Sequence, residues 1–475
     1  MSFRHAYLLV SLPLALACDP APTSDAGRTD AAQPTRDGGT DGGEMDATVD
    51  DAGASDAGAA IDAALPDAGP ALRLDDVVAE LSDGTASAAD LDALIERVSL
   101  EARWPLRDGT RWLFATRWDG AGASVSLVSD VNGWDSARAP ANRAASGVHY
   151  FVVIDESTFD VAPAGAGVKW FAAPSTYRAG PEITAYGYDT FGELGYVAPP
   201  IDAAYRERFG PLRSAFLDEP RRIRAYLPAG FTPHGVAAAS ARVLLLHDGQ
   251  NVFHPDAPFG GWQADAAVSR AGFEDVVILA IDNAPDRFDA YTHVPDDPGL
   301  GGGPIGGRAD DYAQLVFEEA LPFFRARYGL SGDAAKLAIG GSSLGGLVTL
   351  YLAEAHDGDF ACAIAMSSTL GWGAFAGSST DALVQRWSTH GSVSIYLDSG
   401  GGGTCADADG DGVMEDSSDS DNFCTTNQMR DHLASLGYEF GVDLSHWHEP
   451  GAQHNEAAWA ARLPRALDAC AAMGW

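Results

Sequence analysis

A serine that is to attack a carbonyl carbon must stand clear of its own backbone, and residues 338–349, A-I-G-G-S-S-L-G-G-L-V-T, are suited to present one. Gly341-Ser342-Ser343-Leu344-Gly345 is a G-x-S-x-G that follows the apolar Leu337, Ala338 and Ile339 of an expected buried strand. It precedes Leu347, Val348, Leu350 and Tyr351 of an expected helix. In that setting the serine sits at a strained corner, its Oγ lifted above the sheet and the helix N-terminus aimed at any negative charge forming there. A Gly/Ser-rich loop without chemistry is the competing reading, and the flanking strand and helix weigh against it. Ser343 is the expected nucleophile. It needs a base, and the base needs a partner that fixes its tautomer. Of the twelve histidines, His454 lies beyond the last expected strand, in a loop opened by Pro450-Gly451 before a terminal helix. His446 and His448 are rivals, but both fall within an expected strand over 443–448, where a His-x-His metal site competes with plain strand histidines.

A second constellation is acidic. Asp407-x-Asp409-x-Asp411-Gly412 sets three carboxylates at alternate positions with a glycine at the turn, as an EF-hand-type calcium loop does. Val413 would add its carbonyl and Asp416 a further carboxylate. The twelfth position departs from the pattern, being Ser418 where that loop has Glu. Cys405 and Cys424 flank the run as an expected disulfide clip, and Cys362 with Cys470 is the remaining pair. The expected cofactor is therefore a structural Ca2+, with none required for catalysis.

Alternating strands and helices must position these groups. Strands are expected at 222–228, 241–246, 275–281, 362–366 and 393–397, and a helix over 309–328. That order predicts an α/β fold, a mostly parallel sheet with helices on both faces. Upstream, 72–102 has helical spacing through Leu91, Leu94, Ile95 and Val98. From Trp112 short strands follow (112–116, 125–128, 150–154), with turns at Asp119-Gly120, Asn132-Gly133 and Ser146-Gly147, which predicts a small β-sandwich module.

The chain has 475 residues and a formal charge of −37, which argues against nucleic acid or an anionic membrane surface as a partner. Arg4 and His5 precede an apolar run, 6–17, too short to span a bilayer, and Ala15-Leu16-Ala17-Cys18 resembles a bacterial lipobox with Ala15 where Leu is usual. Residues 1–18 are thus an expected leader, with lipidated Cys18 as the only membrane attachment; plain cleavage and release is the alternative. Residues 19–71, rich in Asp-Ala-Gly units, have too few large apolar residues for a core and read as a solvated stalk. The expected location is the envelope of an exporting cell, or outside it.

Four segments together carry a family resemblance: His247-Asp248-Gly249-Gln250-Asn251-Val252-Phe253; Asp282-Asn283 with Arg287 and Tyr291-Thr292; Gly340 to Gly346; and Gly451-Ala452-Gln453-His454 followed by Trp459. From about residue 222 to the end the chain resembles the esterase-D, enterochelin-esterase, feruloyl-esterase and mycolyltransferase superfamily of α/β-hydrolases. Residues 125–134, 168–171 and 186–193 are similar to parts of glycogen-binding-type E-set modules, which precede the catalytic domain in some of those esterases. The implied layout is a helical lead-in and E-set module over 72–200 and an α/β-hydrolase domain over 201–475 with an acidic insert at 401–420.

The resemblance implies a serine esterase and selects His454. It places the acid shortly before the helix that follows the strand ending at Asp398-Ser399-Gly400. Asp421 keeps that place, 33 residues before His454; Asp398 is second choice and Asp419 third. The oxyanion would be held by the N–H groups of Leu344 and Gln250. Asp248, Asn251, Arg287 and Trp372 are the candidate substrate contacts, Asp248, Gln250 and Asn251 alternatively pinning their own loop. The glycine-rich stretch 299–307 is an expected rim over the pocket. The expected substrate is a small-molecule or polysaccharide ester, with acetyl or feruloyl groups on polysaccharide preferred to a siderophore ester. Acyl transfer to sugar, and a surface-displayed binding protein on a hydrolase fold, are the rivals.

Overall fold

A computed structural model of the chain describes residues 72–120, 124–254, 257–299, 301–375, 381–414 and 420–475. The leader, Cys18, the stalk, Leu300, Asp416 and Asp419 lie outside the described residues.

The strands are β1 (Leu106–Asp108), β2 (Arg111–Arg117), β3 (Val125–Ser129), β4 (Asn142–Arg143), β5 (His149–Asp155), β6 (Gly167–Ala172), β7 (Thr176–Arg178), β8 (Ala185–Asp189), β9 (Gly192–Tyr196), β10 (Tyr205–Leu212), β11 (Arg221–Leu227), β12 (Arg242–Leu246), β13 (Val276–Ile281), β14 (Pro295–Asp296), β15 (Ile305–Gly306), β16 (Leu337–Ser342), β17 (Cys362–Met366), β18 (Ser394–Ser399) and β19 (Leu444–His448). The large sheet runs β19-β18-β17-β16-β12-β13-β11-β10-β8-β9-β6-β3, with β7 beside β6. From β19 to β13 every pair is parallel; from β13 onward the pairs turn antiparallel.

The parallel half is apolar on both faces because strand side chains alternate and helices cover both sides. Val243, Leu245, Ile339, Ala363, Ile395 and Leu397 pack on one side with Leu347 and Leu350 of helix Leu344–Ala355 and Phe324 of helix Leu321–Tyr328. Leu244, Leu246, Ala338, Ile364 and Met366 pack on the other with Trp459, Leu463 and Leu467 of helix Glu456–Ala472. Each fully buried Leu or Ile contributes about 1.5–3 kcal/mol. Disulfide Cys362–Cys470 joins the start of β17 to the end of that helix.

The antiparallel half differs from expectation in one respect. β2 and β5, in a small sheet ordered β1-β2-β5-β4, face β3 and β6 across a shared core of Trp112, Phe114, Leu127, Tyr150, Val168 and Trp170. The second layer is no separate sheet, however. β8 hydrogen-bonds to β10 and β10 to β11, so one sheet passes through residue 200 without a break. The lead-in forms two helices, Leu74–Ser82 and Ala88–Glu101, the second opened by a Ser87/Asp90 capping box. They cover the outer face of the small sheet through Leu113, Ala115 and Phe151. Trp134 donates its indole N–H to Asp130 Oδ1 at 2.8 Å, so it packs within its own turn. No helix among the described residues is long and apolar enough to cross a membrane.

Candidate active site

Ser343 stands between β16 and helix Leu344–Ala355 with φ 57° and ψ −123°, a left-handed corner that a non-glycine residue adopts at a cost. The corner closes because Gly341 lacks a side chain: a Cβ there would lie 2.6 Å from the Gly345 carbonyl carbon and oxygen. The Ser343 N–H donates to Met366 O at 3.0 Å, tying the corner to the end of β17. Its Oγ pairs with Thr369 Oγ1 at 3.3 Å, and no hydrogen bond joins it to His454.

His454 is held in a loop laced to the end of β18: Gly401 N–H donates to Ala452 O (2.8 Å), Gly451 N–H to Gly401 O and Glu449 N–H to Ser399 O (both 2.9 Å). Its ring meets Trp459 edge-on at 5.0 Å between centroids. His454 Nδ1 lies 2.7 Å from Asp421 Oδ1, and Asp421 is almost fully buried. The other oxygen of Asp421 accepts from Ser367 Oγ (2.8 Å), from the Gly400 N–H, and from Arg462 Nη2 (3.4 Å). A carboxylate so engaged has one lone-pair direction aimed at the imidazole and little freedom to turn.

The second-choice acid goes elsewhere. Asp398 is fully buried; its Oδ2 accepts from Tyr396 OH at 3.0 Å and lies 3.2 Å from Arg462 Nε. Burial pushes its carboxyl up to about 6 against the pull of Arg462 and Tyr396.

Leu344 is the first residue of its helix, and Gln250 lies in the 3-10 turn Gly249–Asn251, so their N–H groups fall where a helix supplies no acceptor of its own. The Gln250 side chain accepts from the Asn283 N–H at 3.0 Å. Asp248 is pinned: Arg287 grips it with two 2.8 Å bonds, Asn283 Nδ2 donates to it at 2.5 Å, and its N–H donates to Tyr291 OH. Burial pushes the Asp248 carboxyl up, and Arg287 and Asn283 outweigh it and hold it below the usual carboxylate value. Burial also pushes His247 down to about 4; it bonds Tyr312 OH at 2.8 Å and stays neutral. These bonds are those the loop-pinning alternative expects of Asp248 and Gln250, with Arg287 and Asn283 as their partners. Asn251 reaches Glu456 Oε1 at 3.4 Å and leaves its buried Oδ1 unpartnered.

Trp372 requires a correction. It is fully buried, donating to Val294 O at 2.7 Å and packing on Phe288 and Phe375, so its ring has no surface to offer a substrate. It buttresses the base of the expected rim, where β14 pairs with β15 and Gly306 donates to Asp289 Oδ1 at 2.7 Å.

In the insert, one carboxylate oxygen each of Asp407, Asp409 and Asp411 lie within 4.8 Å of one another. Val413 is buried in the main core, and disulfide Cys405–Cys424 with the Gly402–Ser420 bridge closes the base. His446 and His448 form no such grouping among the described residues; His448 contacts Gly401 O and Phe423.

The family model described as "Putative esterase" matches residues 214–470, more than half the chain. The chain belongs to the esterase family. This esterase is a carboxylic ester hydrolase. No curated protein matches it in sequence. Solved structures similar to it include the enterobactin esterase FES from Shigella flexneri (13% identity, 76% of this chain and 93% of that one, TM-score 0.39), a ferulic acid esterase (16%, 57% and 100%, 0.40) and the siderophore hydrolase EstB from Aspergillus nidulans (18%, 55% and 93%, 0.35). Identities and TM-scores this low carry nothing about which ester this chain cleaves; the family rests on the sequence match.

Sequence reasoning passed over Ser367, Thr369, Gly400 and Arg462. Arg462 had a signal, since it is the one charged residue in the otherwise apolar stripe Trp459, Leu463, Ala466, Leu467 and Cys470 of the terminal helix. A buried guanidinium needs carboxylates around it. Ser367 and Thr369, in a Ser-Ser-Thr run after β17, had none.

Proposed function

We propose that this esterase is an exported serine esterase that removes acyl groups, acetyl or feruloyl in type, from polysaccharide, using Ser343, His454 and Asp421. The observation that carries the triad is the 2.7 Å contact between His454 Nδ1 and the buried Asp421 carboxylate, with Asp421 bonded to Ser367 and the Ser343 corner tied to the adjoining Met366. With Nδ1–H donated to Asp421, Nε2 is the basic nitrogen left to take the serine proton. Ser343 Oγ turns from Thr369 toward Nε2 and attacks the ester carbonyl carbon while its proton passes to His454. The carbonyl electron pair moves to oxygen, where the Leu344 and Gln250 N–H groups hold it. The tetrahedral adduct collapses, the C–O bond to the alcohol breaks, and His454 returns the proton to the departing oxygen. Water repeats the sequence on the acyl-serine and restores the enzyme.

The polysaccharide reading is supported by the leader and stalk and by the β-rich half resembling an E-set module. We also propose a structural calcium ion at Asp407, Asp409 and Asp411 with the Val413 carbonyl. The donor set is all hard oxygen, as that ion prefers, and the three carboxylates converge. Lipidation at Cys18 would tether the enzyme to the envelope.

The substrate is tested by assaying, side by side, acetylated and feruloylated xylo-oligosaccharides, a tricatecholate siderophore ester and a sugar acceptor with an activated acyl donor. Turnover of the sugar esters is expected. Cleavage of the siderophore alone contradicts the polysaccharide reading, and net transfer to the acceptor contradicts hydrolysis.

A further inference from the structure

Behind the Asp421–His454 pair lies a buried charge cluster that proton transfer does not use. Arg462 projects from helix Glu456–Ala472 into it and is 3% exposed. Its Nη2 donates to Ser367 Oγ at 2.7 Å and lies 3.4 Å from Asp421 Oδ2, while its Nε is 3.2 Å from Asp398 Oδ2. Ser367 Oγ also receives the Trp459 indole N–H at 3.0 Å and donates to Asp421 Oδ2 at 2.8 Å. With two donors on its oxygen, the Ser367 hydroxyl has one direction left for its own hydrogen, toward Asp421. Its backbone is held as well: Ser367 N–H donates to Asp398 O at 2.8 Å and Asn422 Nδ2 donates to Ser367 O at 2.7 Å. Trp459 and Arg462, three apart, share one helix face, and the Cys362–Cys470 disulfide anchors the same helix to the strand that ends just before Ser367.

We propose that Arg462 is a positioning residue for catalysis: bridged by Ser367 and counter-charged by Asp398, it holds the Asp421 carboxylate aimed at His454. The proposal rests on reading Ser343, His454 and Asp421 as the triad. The charged and titratable groups facing the cluster and His454 are Asp398 and Tyr396 from β18, Asp421 from the segment before helix Phe423–Leu436, His454 from its loop, and Glu456, Arg462 and Arg465 from the terminal helix. Of the two guanidinium groups, that of Arg462 is the one in contact with both carboxylates. The imidazolium formed at His454 while the proton is in transit adds a positive charge beside the Asp421 carboxylate. Burial pushes the Asp398 carboxyl up to about 6, which keeps it ionised above that pH and lets it lose its charge below.

The test compares Arg462→Met, Arg462→Lys, Ser367→Ala, Asp398→Asn and Asp421→Asn with wild type in the full chain. kcat and KM for p-nitrophenyl acetate are measured across pH, with circular dichroism as the check on folding. Arg462→Met is expected to lower kcat roughly 10- to 100-fold, the range for losing a hydrogen bond to a charged group, with KM unchanged. Arg462→Lys should recover part of that loss because charge is kept, and Ser367→Ala should lower kcat about 10-fold. Asp398→Asn removes a negative charge from the neighbourhood of the imidazolium, so the acid limb of kcat/KM should move to lower pH by about half a pH unit or more. A purely structural role would alter the folded fraction and leave that limb in place. Folded Arg462→Met with wild-type kcat, or an Asp398→Asn limb that stays put or moves to higher pH, overturns the proposal. If Arg462→Met does not fold, wild-type kcat in Ser367→Ala overturns it equally. Should Asp421→Asn itself retain wild-type kcat, the triad reading fails and the proposal with it; a collapse in Asp421→Asn beside a normal Arg462→Met refutes the positioning role alone.

Discussion

Replacing Asp421 by asparagine should preserve the fold and nearly abolish turnover, because neither orientation of the amide satisfies its surroundings. With the amide oxygen toward His454 Nδ1–H, the NH2 group faces Ser367 Oγ–H, Gly400 N–H and Arg462 Nη2, all donors. Ser367 cannot turn to accept, since Trp459 and Arg462 already fill its oxygen. With the amide flipped, NH2 donates to Nδ1, the ring proton moves to Nε2, and His454 can no longer take the serine proton. The expected loss in kcat is about 10^3- to 10^4-fold, or roughly 4–5.5 kcal/mol of transition-state stabilisation, the scale of the same change in serine proteases. Buried donors left unpaired would cost about 1–3 kcal/mol of stability, tolerable in a domain stapled by two disulfides. The assay is kcat on p-nitrophenyl acetate, with circular dichroism as the folding control and Asp398→Asn as the comparator, expected to lose less than about tenfold. Near-wild-type kcat in Asp421→Asn beside a collapse in Asp398→Asn would refute the assignment of the acid.

Two further outcomes follow from the geometry. Gly341→Ala places a Cβ 2.6 Å from the Gly345 carbonyl group, and the displaced corner should lower kcat at least about tenfold and cost about 1–3 kcal/mol by thermal unfolding; an unchanged enzyme would mean the corner is not the constraint. Calcium at about 10 mM should stabilise the fold by roughly 1.4–2.7 kcal/mol for a ~0.1–1 mM site and should not do so in Asp409→Ala/Asp411→Ala. kcat should change less than about twofold, because Ser367, Gly400, Arg462 and His454, the partners of Asp421, all lie outside the insert. A melting temperature indifferent to calcium and chelator would leave the acidic loop without a metal.

Much of the site was legible because its landmarks are local. The Gly-x-Ser-x-Gly corner shows in five residues, and Asp421 keeps its place before a helix even with an insert ahead of it. The parallel strands showed as short apolar runs because both faces are buried. What escaped depends on distant partners. β10 alternates Arg206, Glu207 and Arg208 and reads as polar, yet it joins the two halves of the large sheet because Glu207 finds Arg103 and Tyr328, and Arg208 finds Glu193. Trp372 is a candidate substrate contact in the sequence because an aromatic residue past a strand end gives no sign of which groups will bury it; Phe288 and Val294 reach it from another segment.

The central claim is that Ser343 is a nucleophile activated by His454, and active-site labelling tests it most directly. A fluorophosphonate probe is incubated with wild type, Ser343→Ala and His454→Ala, all verified as folded, and the modified peptide is mapped by mass spectrometry. One adduct per chain on Ser343 in wild type, none in Ser343→Ala, and labelling slowed by orders of magnitude in His454→Ala is the expected result. Folded wild type that takes no label, or an adduct on a residue other than Ser343, would contradict the claim.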